Sequence, residues 1–150
     1  MVSIVEDDLN PGNYAYKIEA KKGQDFWSYF HMPTKFKTGV TYKVELDIRI
    51  LNDSEGQPIT VPQSLNWNFR YTDVDANGAT KEKMDHHNSM GKFTTDMGWK
   101  HVSFTHKISE ASPLRNTDSL SFYSNPFTRA DGVRVNVSYM IDNVVVTVVE

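Results

Sequence analysis

The chain has 150 residues, enough for one domain with a core of its own. Its 16 Lys and Arg against 19 Asp and Glu leave a net charge of −3, with no sign of the basic patch of a typical nucleic-acid binder. The absence of cysteine excludes disulfides and thiol chemistry, and no apolar run approaches the ~18 residues of a membrane-spanning helix.

In chain order the dominant period is two. Tyr14, Tyr16, Ile18 and Ala20 alternate with Lys17 and Glu19 in NYAYKIEA. GQDFWSYFHMP, residues 23–33, splits as a strand into Phe26, Ser28, Phe30 and Met32 on one face and Asp25, Trp27, Tyr29 and His31 on the other. TYKVELDIRI alternates Tyr42, Val44, Leu46, Ile48 and Ile50 with charged residues. SLNWNFRYTDV alternates Leu65, Trp67, Phe69 and Tyr71 with Asn66, Asn68 and Arg70. Residues 80–98 are the least regular; an irregular strand near 81–88 followed by a loop is expected. WKHVSFTHKI and LSFYSN alternate again, and the chain ends in the β-branched run VRVNVSYMIDNVVVTVVE. Gly, Asn, Asp and Pro clusters at 10–13, 37–39, 52–58, 75–78, 124–126 and 129–132 mark turns. No segment sustains a 3.6-residue period. About eight to ten strands at this spacing predict an all-β antiparallel sandwich, a jelly roll.

The polar rows carry the candidate site. Trp27 and Tyr29 occupy the face that should meet water. A rigid strand-borne ring suits the apolar C–H face of a sugar, and leaves the rim hydroxyls free to bond elsewhere. Asn66, Asn68 and Arg70 at i, i+2 and i+4 form a row of planar donors and acceptors that suits vicinal hydroxyls. Tyr123 and Asn125 oppose Leu120 and Phe122 and should also point outward. Trp67, Phe69 and Tyr71 share a row with Leu65 and are assigned to the core. In Asp85-His86-His87, neighbouring histidines on a strand face opposite ways and do not chelate one ion; His86 is kept as a hydrogen-bond donor to the ligand. Glu45 and Asp47 share a face ~7 Å apart, which glycosidase carboxylates also do. Their neighbours Lys43 and Arg49 mark a charged outer surface instead.

Several stretches resemble the family 4 and family 22 carbohydrate-binding modules. YMIDNVVVTV is similar to their closing strand, Y-x-I-D-D/N-V-x-V. GNYAYKIEA, DFWSYFHMP, FKTGVTYKVELDIRI and GWKHVSFTHKI follow their order of a G-x-Y strand, a strand with an exposed Trp, a G-x-x-Y-x-V strand and a W-x-x-L strand. The resemblance runs over residues 10–149; Glu45 replaces the usual Ser, Asp142-Asn143 replaces the tandem Asp, and 75–98 does not align. It implies a non-catalytic β-sandwich that binds β-1,4-linked plant polysaccharide, xylan first, in an open groove. Trp27 matches the exposed Trp, and Tyr123 matches a ligand-contacting position on the penultimate strand. It also implies a structural Ca²⁺ held by Glu6 and Asp142. Residues 1–150 would then be a single, monomeric module excised from a larger exported glycoside hydrolase, extracellular or at the cell surface, tethered to a catalytic domain and binding neither nucleic acid nor membrane. Two other readings stand beside it: a structural or protein-binding spacer, with no groove, and a jelly-roll polysaccharide lyase or hydrolase, in which His, Tyr and Arg converge in one cleft.

Overall fold

The computed structural model describes residues 1–23, 28–84, 88–108 and 116–150. These form twelve strands and one 3-10 turn. The strands are β1 (Val2–Glu6), β2 (Tyr14–Ile18), β3 (Ser28–Lys37), β4 (Thr41–Asp53), β5 (Gln63–Val74), β6 (Thr80–Met84), β7 (Asn88–Phe93), β8 (Lys100–Lys107), β9 (Asn116–Ser124), β10 (Phe127–Thr128), β11 (Arg134–Val135) and β12 (Val137–Val148). The fold is an antiparallel β-sandwich. One sheet runs β1-β2-β12-β4-β8 and the other β3-β9-β5-β6, with β7 also on β5. A two-stranded ribbon, β10-β11, stands apart.

The alternating sequence explains the layers. Val44, Leu46, Ile48 and Ile50 of β4 turn inward with Tyr139 and Ile141 of β12. They meet Leu65, Trp67 and Phe69 of β5, Leu120 and Phe122 of β9 and Phe30 of β3. Trp67 is 2% exposed and stacks on Phe104 of β8 at 4.3 Å between ring centroids, so it is core, as its row predicts. The turns work as their residues suggest. In the 53–56, 75–78 and 129–132 turns, a glycine N–H bonds the carbonyl three residues back, and Gly56, Gly78 and Gly132 all adopt positive φ.

Alternation does not guarantee burial: Tyr14 and Tyr16 share a row with the buried Ile18 but are exposed. Tyr16 pairs with Ile141 on one side and Ile4 on the other, and Ile141 in turn pairs with Ile48. Exposure along this row rises from 1% at Ile48 and 0% at Ile141 to 43% at Tyr16 and 66% at Ile4. The first sheet thus extends past the cover of the second, and inward parity no longer means burial. One expectation is corrected, at 81–98. β7 occupies 88–93, where a loop was expected, and extends the pairing along the free edge of β5 that β6 begins.

One cross-layer bond positions the second sheet. The Tyr139 hydroxyl, buried in the first, lies 2.9 Å from the Ser28 carbonyl and 3.1 Å from that of Phe122. Burial pushes its pKa well up, so it stays a donor. Tyr139→Phe removes that donor and leaves buried carbonyls short of a partner, at a cost of about 1–3 kcal/mol. Urea denaturation should show the loss, and an unchanged midpoint would mean that the hydroxyl adds nothing to the tie between the layers.

Candidate functional site

The site follows from register. β9 lies between β3 and β5, so two cross-strand rows form on the face of the second sheet that points away from the core. Tyr29 pairs with Tyr123, which pairs with Asn66; His31 pairs with Ser121, which pairs with Asn68. Arg70 continues the β5 row. Five of the residues singled out in the sequence, Tyr29, Asn66, Asn68, Arg70 and Tyr123, therefore share one face despite lying on three strands distant in the chain. Asn125 lies just past β9 and is exposed. Trp27 and His86 lie outside the described residues.

Tyr29 is the hub. Its ring stacks on Tyr123 at 4.9 Å and on His31 at 5.1 Å, with interplanar angles of 28° and 12°. The Arg70 guanidinium carbon sits 5.2 Å from the Tyr29 ring centroid, a cation–π distance. Burial raises the Tyr29 pKa, against the opposing charge of Arg70 and a hydrogen bond with the Asn68 side chain. Tyr123 is raised too, by burial first and then by Tyr29. Both phenols are neutral donors near neutral pH.

Tyr123 corrects the expectation of an outward ring. It lies on the predicted face but is only 6% exposed, and Asn68 is 0% exposed. Rings on directly paired positions stack on each other instead of standing singly into solvent. Tyr123 and Asn68 therefore support the half-buried Tyr29 and Arg70 and the exposed His31. Sequence reasoning passed over His31 and Ser121. The signal was their place in the polar row, and it became decisive only with the register.

The metal expectation rests on Glu6 and Asp142. Glu6 Oε1 accepts from the Gly12 N–H at 2.8 Å. Asp142 accepts from Asn13 Nδ2 at 2.9 Å and from the Asn143 N–H at 2.7 Å. Calcium needs six to eight oxygens with free lone pairs. N–H donors take only part of the lone-pair capacity of this pair, and the described residues hold no cluster of three or more His, Cys, Asp or Glu able to bind a metal. Two carboxylates supply at most four of the six to eight oxygens, so a calcium ion there would need further oxygens to complete its shell. The N-terminal turn is held by a different carboxylate. Asp7, fully buried, accepts from the Leu9 N–H, Asn10 Nδ2 and Trp99 Nε1, and pairs with Arg49 Nη1 at 3.3 Å. Burial pushes the Asp7 pKa up, but these donors and the Arg49 charge outweigh it and hold the carboxyl below its ordinary value. Its stabilisation is therefore complete above the unfolded-state pKa and is lost as pH falls through the folded one. Arg49→Met should cost about 1.5–3 kcal/mol at neutral pH, the worth of hydrogen bonds to a charged group. EDTA or added Ca²⁺ should leave the melting temperature unmoved. A fall with EDTA would show that further oxygens complete a calcium site at Glu6 and Asp142.

Glu45 and Asp47 lie on the outer face of the first sheet. Glu45 pairs with Lys43 at 3.2 Å and His101 at 3.6 Å, and Asp47 meets His101 Nδ1 at 2.8 Å and Asn143 Nδ2 at 2.9 Å. This is the charged surface the sequence indicates. A cavity of about 570 Å³ lies elsewhere, between residues 55–63 and 127–131. Its Arg129 is matched by Asp53 and Asp131, both at 3.0 Å.

No family model and no curated protein matches the sequence. Solved structures do match the fold. The CBM22-1–CBM22-2 tandem of Paenibacillus barcinonensis Xyn10C superposes with a TM-score of 0.60 at 12% identity, over 99% of this chain and 43% of that one. The CBM22-1–GH10 modules of the Clostridium thermocellum endo-1,4-beta-D-xylanase 10B, complexed with xylohexaose, give 0.59 at 13% identity, over 99% of this chain and 24% of that one. The single CBM22-2 xylan-binding domain of P. barcinonensis Xyn10C gives 0.55 at 12% identity, with 99% of this chain and 87% of that domain covered. The chain has the fold of the family 22 carbohydrate-binding modules. It spans about a quarter of the xylanase chain but nearly the whole of the isolated module, so the likeness is to the module.

Proposed function

We propose that the chain is a non-catalytic carbohydrate-binding module that takes a β-1,4-linked plant polysaccharide, xylan first, on the outer face of the β3-β9-β5 sheet. The observation that carries the reading is the convergence of Tyr29, His31 and Arg70 with Asn66 and Asn68 on one rigid sheet face. A half-buried ring offers a stacking surface and the half-buried Arg70 guanidinium supplies planar donors to hydroxyls, with the buried amides of Asn66 and Asn68 packed behind them. The fold is shared with modules described as xylan-binding, one of them in a structure with xylohexaose. Affinity is expected at a Kd of roughly 1 mM to 1 µM. The module would act by proximity, holding a tethered glycoside hydrolase at its polymer and raising the effective concentration. Such a polymer lies outside the cell, so the module would work there or on the cell surface, as a monomeric unit. Among the described residues no helix is long and apolar enough to cross a membrane.

One observation favours a second reading. His, Tyr and Arg do converge in one place, as a jelly-roll lyase would need. Against it, burial raises both phenol pKa values, so neither is ionised to act as a base near neutral pH, and both His31 ring nitrogens are engaged. Native-gel retardation in a panel of polysaccharides, run beside assays for new reducing and unsaturated ends, separates the readings. Retardation in xylan without new ends supports the module, new ends support an enzyme, and neither leaves the spacer.

A further inference from the structure

Arg70 is placed at the site by its neighbours as much as by its own strand. We infer that His31, neutral and protonated on Nδ1, is the positioning residue that orients the Arg70 guanidinium for sugar, so that binding is gated by the protonation of His31. The inference rests on the proposed sugar-binding role of this face.

The hydrogen-bond logic fixes the tautomer. A guanidinium has only donors. Arg70 Nη1 lies 3.4 Å from His31 Nε2, so this long contact can form only if Nε2 is unprotonated and accepts. The proton of the neutral ring is then on Nδ1, which lies 2.6 Å from Ser121 Oγ and donates to it. Ser121 is 0% exposed and sits on the central strand, so this end of the chain of contacts is fixed by the sheet. The Tyr29 ring stacked on His31 holds the imidazole plane.

Protonation reverses the contact. An imidazolium donates from both nitrogens, so Nε2–H would point at a guanidinium N–H and two cations would stand 3.4 Å apart. Among the described residues, the titratable and charged groups around the imidazole are Tyr29 on its own strand, Tyr123 of β9 beyond Tyr29, and Arg70 of β5; none is a carboxylate that would offset the new charge. Partial desolvation of the ring against the sheet face, with the Arg70 charge second, holds the His31 pKa below its ordinary value, so the gate lies on the acid side of neutrality. Above it Arg70 is oriented; below it Arg70 is driven off the Tyr29 face.

Two measurements test this, one needing no sugar. Histidine ¹⁵N NMR on the free protein should show His31 as the Nδ1–H tautomer near neutral pH, and the Arg70 Nε–H signal should lose its protection from exchange as His31 titrates. Xylan affinity, from gel retardation at pH 4.5 to 7.5, should fall at least tenfold through the same transition in the wild type. His31→Gln keeps an acceptor without titrating and should flatten that profile. His31→Phe keeps the stack but lacks the acceptor and should bind weakly at every pH. A wild-type profile that stays flat while His31 titrates overturns the inference, as does a His31→Gln profile that falls like the wild type. An Nε2–H tautomer in the free protein overturns it too. If the NMR signatures appear but no polysaccharide binds at any pH, the positioning of Arg70 stands and the carbohydrate reading fails.

Discussion

Trp67→Ala is expected to lower stability by about 3–5 kcal/mol, the cost of truncating a buried aromatic. For a domain of this size that is a fall in melting temperature of about 6–20 °C. Trp67 is 2% exposed, stacks within 7° of coplanar on Phe104, and meets Phe69 edge-on at 5.4 Å. The cavity left would lie where the two sheets meet, between β5 and β8, and neither sheet can close it without breaking its own ladder. Its neighbours Asn66 and Asn68 point to the other face, so the protein that remains folded at low temperature should keep its polysaccharide binding. Thermal and urea melts check the first part, gel retardation at 10 °C the second. A stable variant that had lost binding would put Trp67 in the site and Asn66, Asn68 and Arg70 outside it.

Tyr29→Ala is the complement. It is expected to weaken xylan binding at least tenfold, about 1.4 kcal/mol or more, while costing much less stability than Trp67→Ala. Tyr29 joins both rows of the face: its ring touches Tyr123 and His31, and Arg70 sits over it. Removing it takes away the stacking surface and releases the guanidinium. Tyr29→Phe keeps the ring and should retain most of the affinity, losing only what the hydroxyl contributes with Asn68. Retardation of Tyr29→Ala equal to that of wild type would remove this ring from the binding surface.

Parity made the layers legible. A strand has a period of two, so Leu65-Trp67-Phe69 against Asn66-Asn68-Arg70, and Leu120-Phe122 against Tyr123, could be sorted into inner and outer faces before any pairing was known. Pairing was not legible, because β3, β9 and β5 adjoin through contacts that no local pattern encodes. That is why Tyr29 and Tyr123 read as two separate outward rings when they stack on each other and bury Tyr123. It is also why His31 and Ser121 passed as ordinary polar positions. Tyr14 and Tyr16 show a second limit: parity says which way a side chain points, but not whether the facing sheet reaches that far. The Arg49–Asp7 pair shows a third, for its partners lie 42 residues apart and nothing in either segment names the other.

The most direct test of the account is an NMR titration of the ¹⁵N-labelled chain with xylohexaose. Shift changes should centre on Tyr29, His31, Arg70, Asn66 and Asn68 and saturate at a hexaose concentration of roughly 1 mM or below. The outer face of the first sheet, around Glu45, Asp47 and His101, should stay unmoved. Changes centred on that face or on residues 55–63, or a spectrum indifferent to the sugar at several millimolar, would contradict a carbohydrate site on the β3-β9-β5 face.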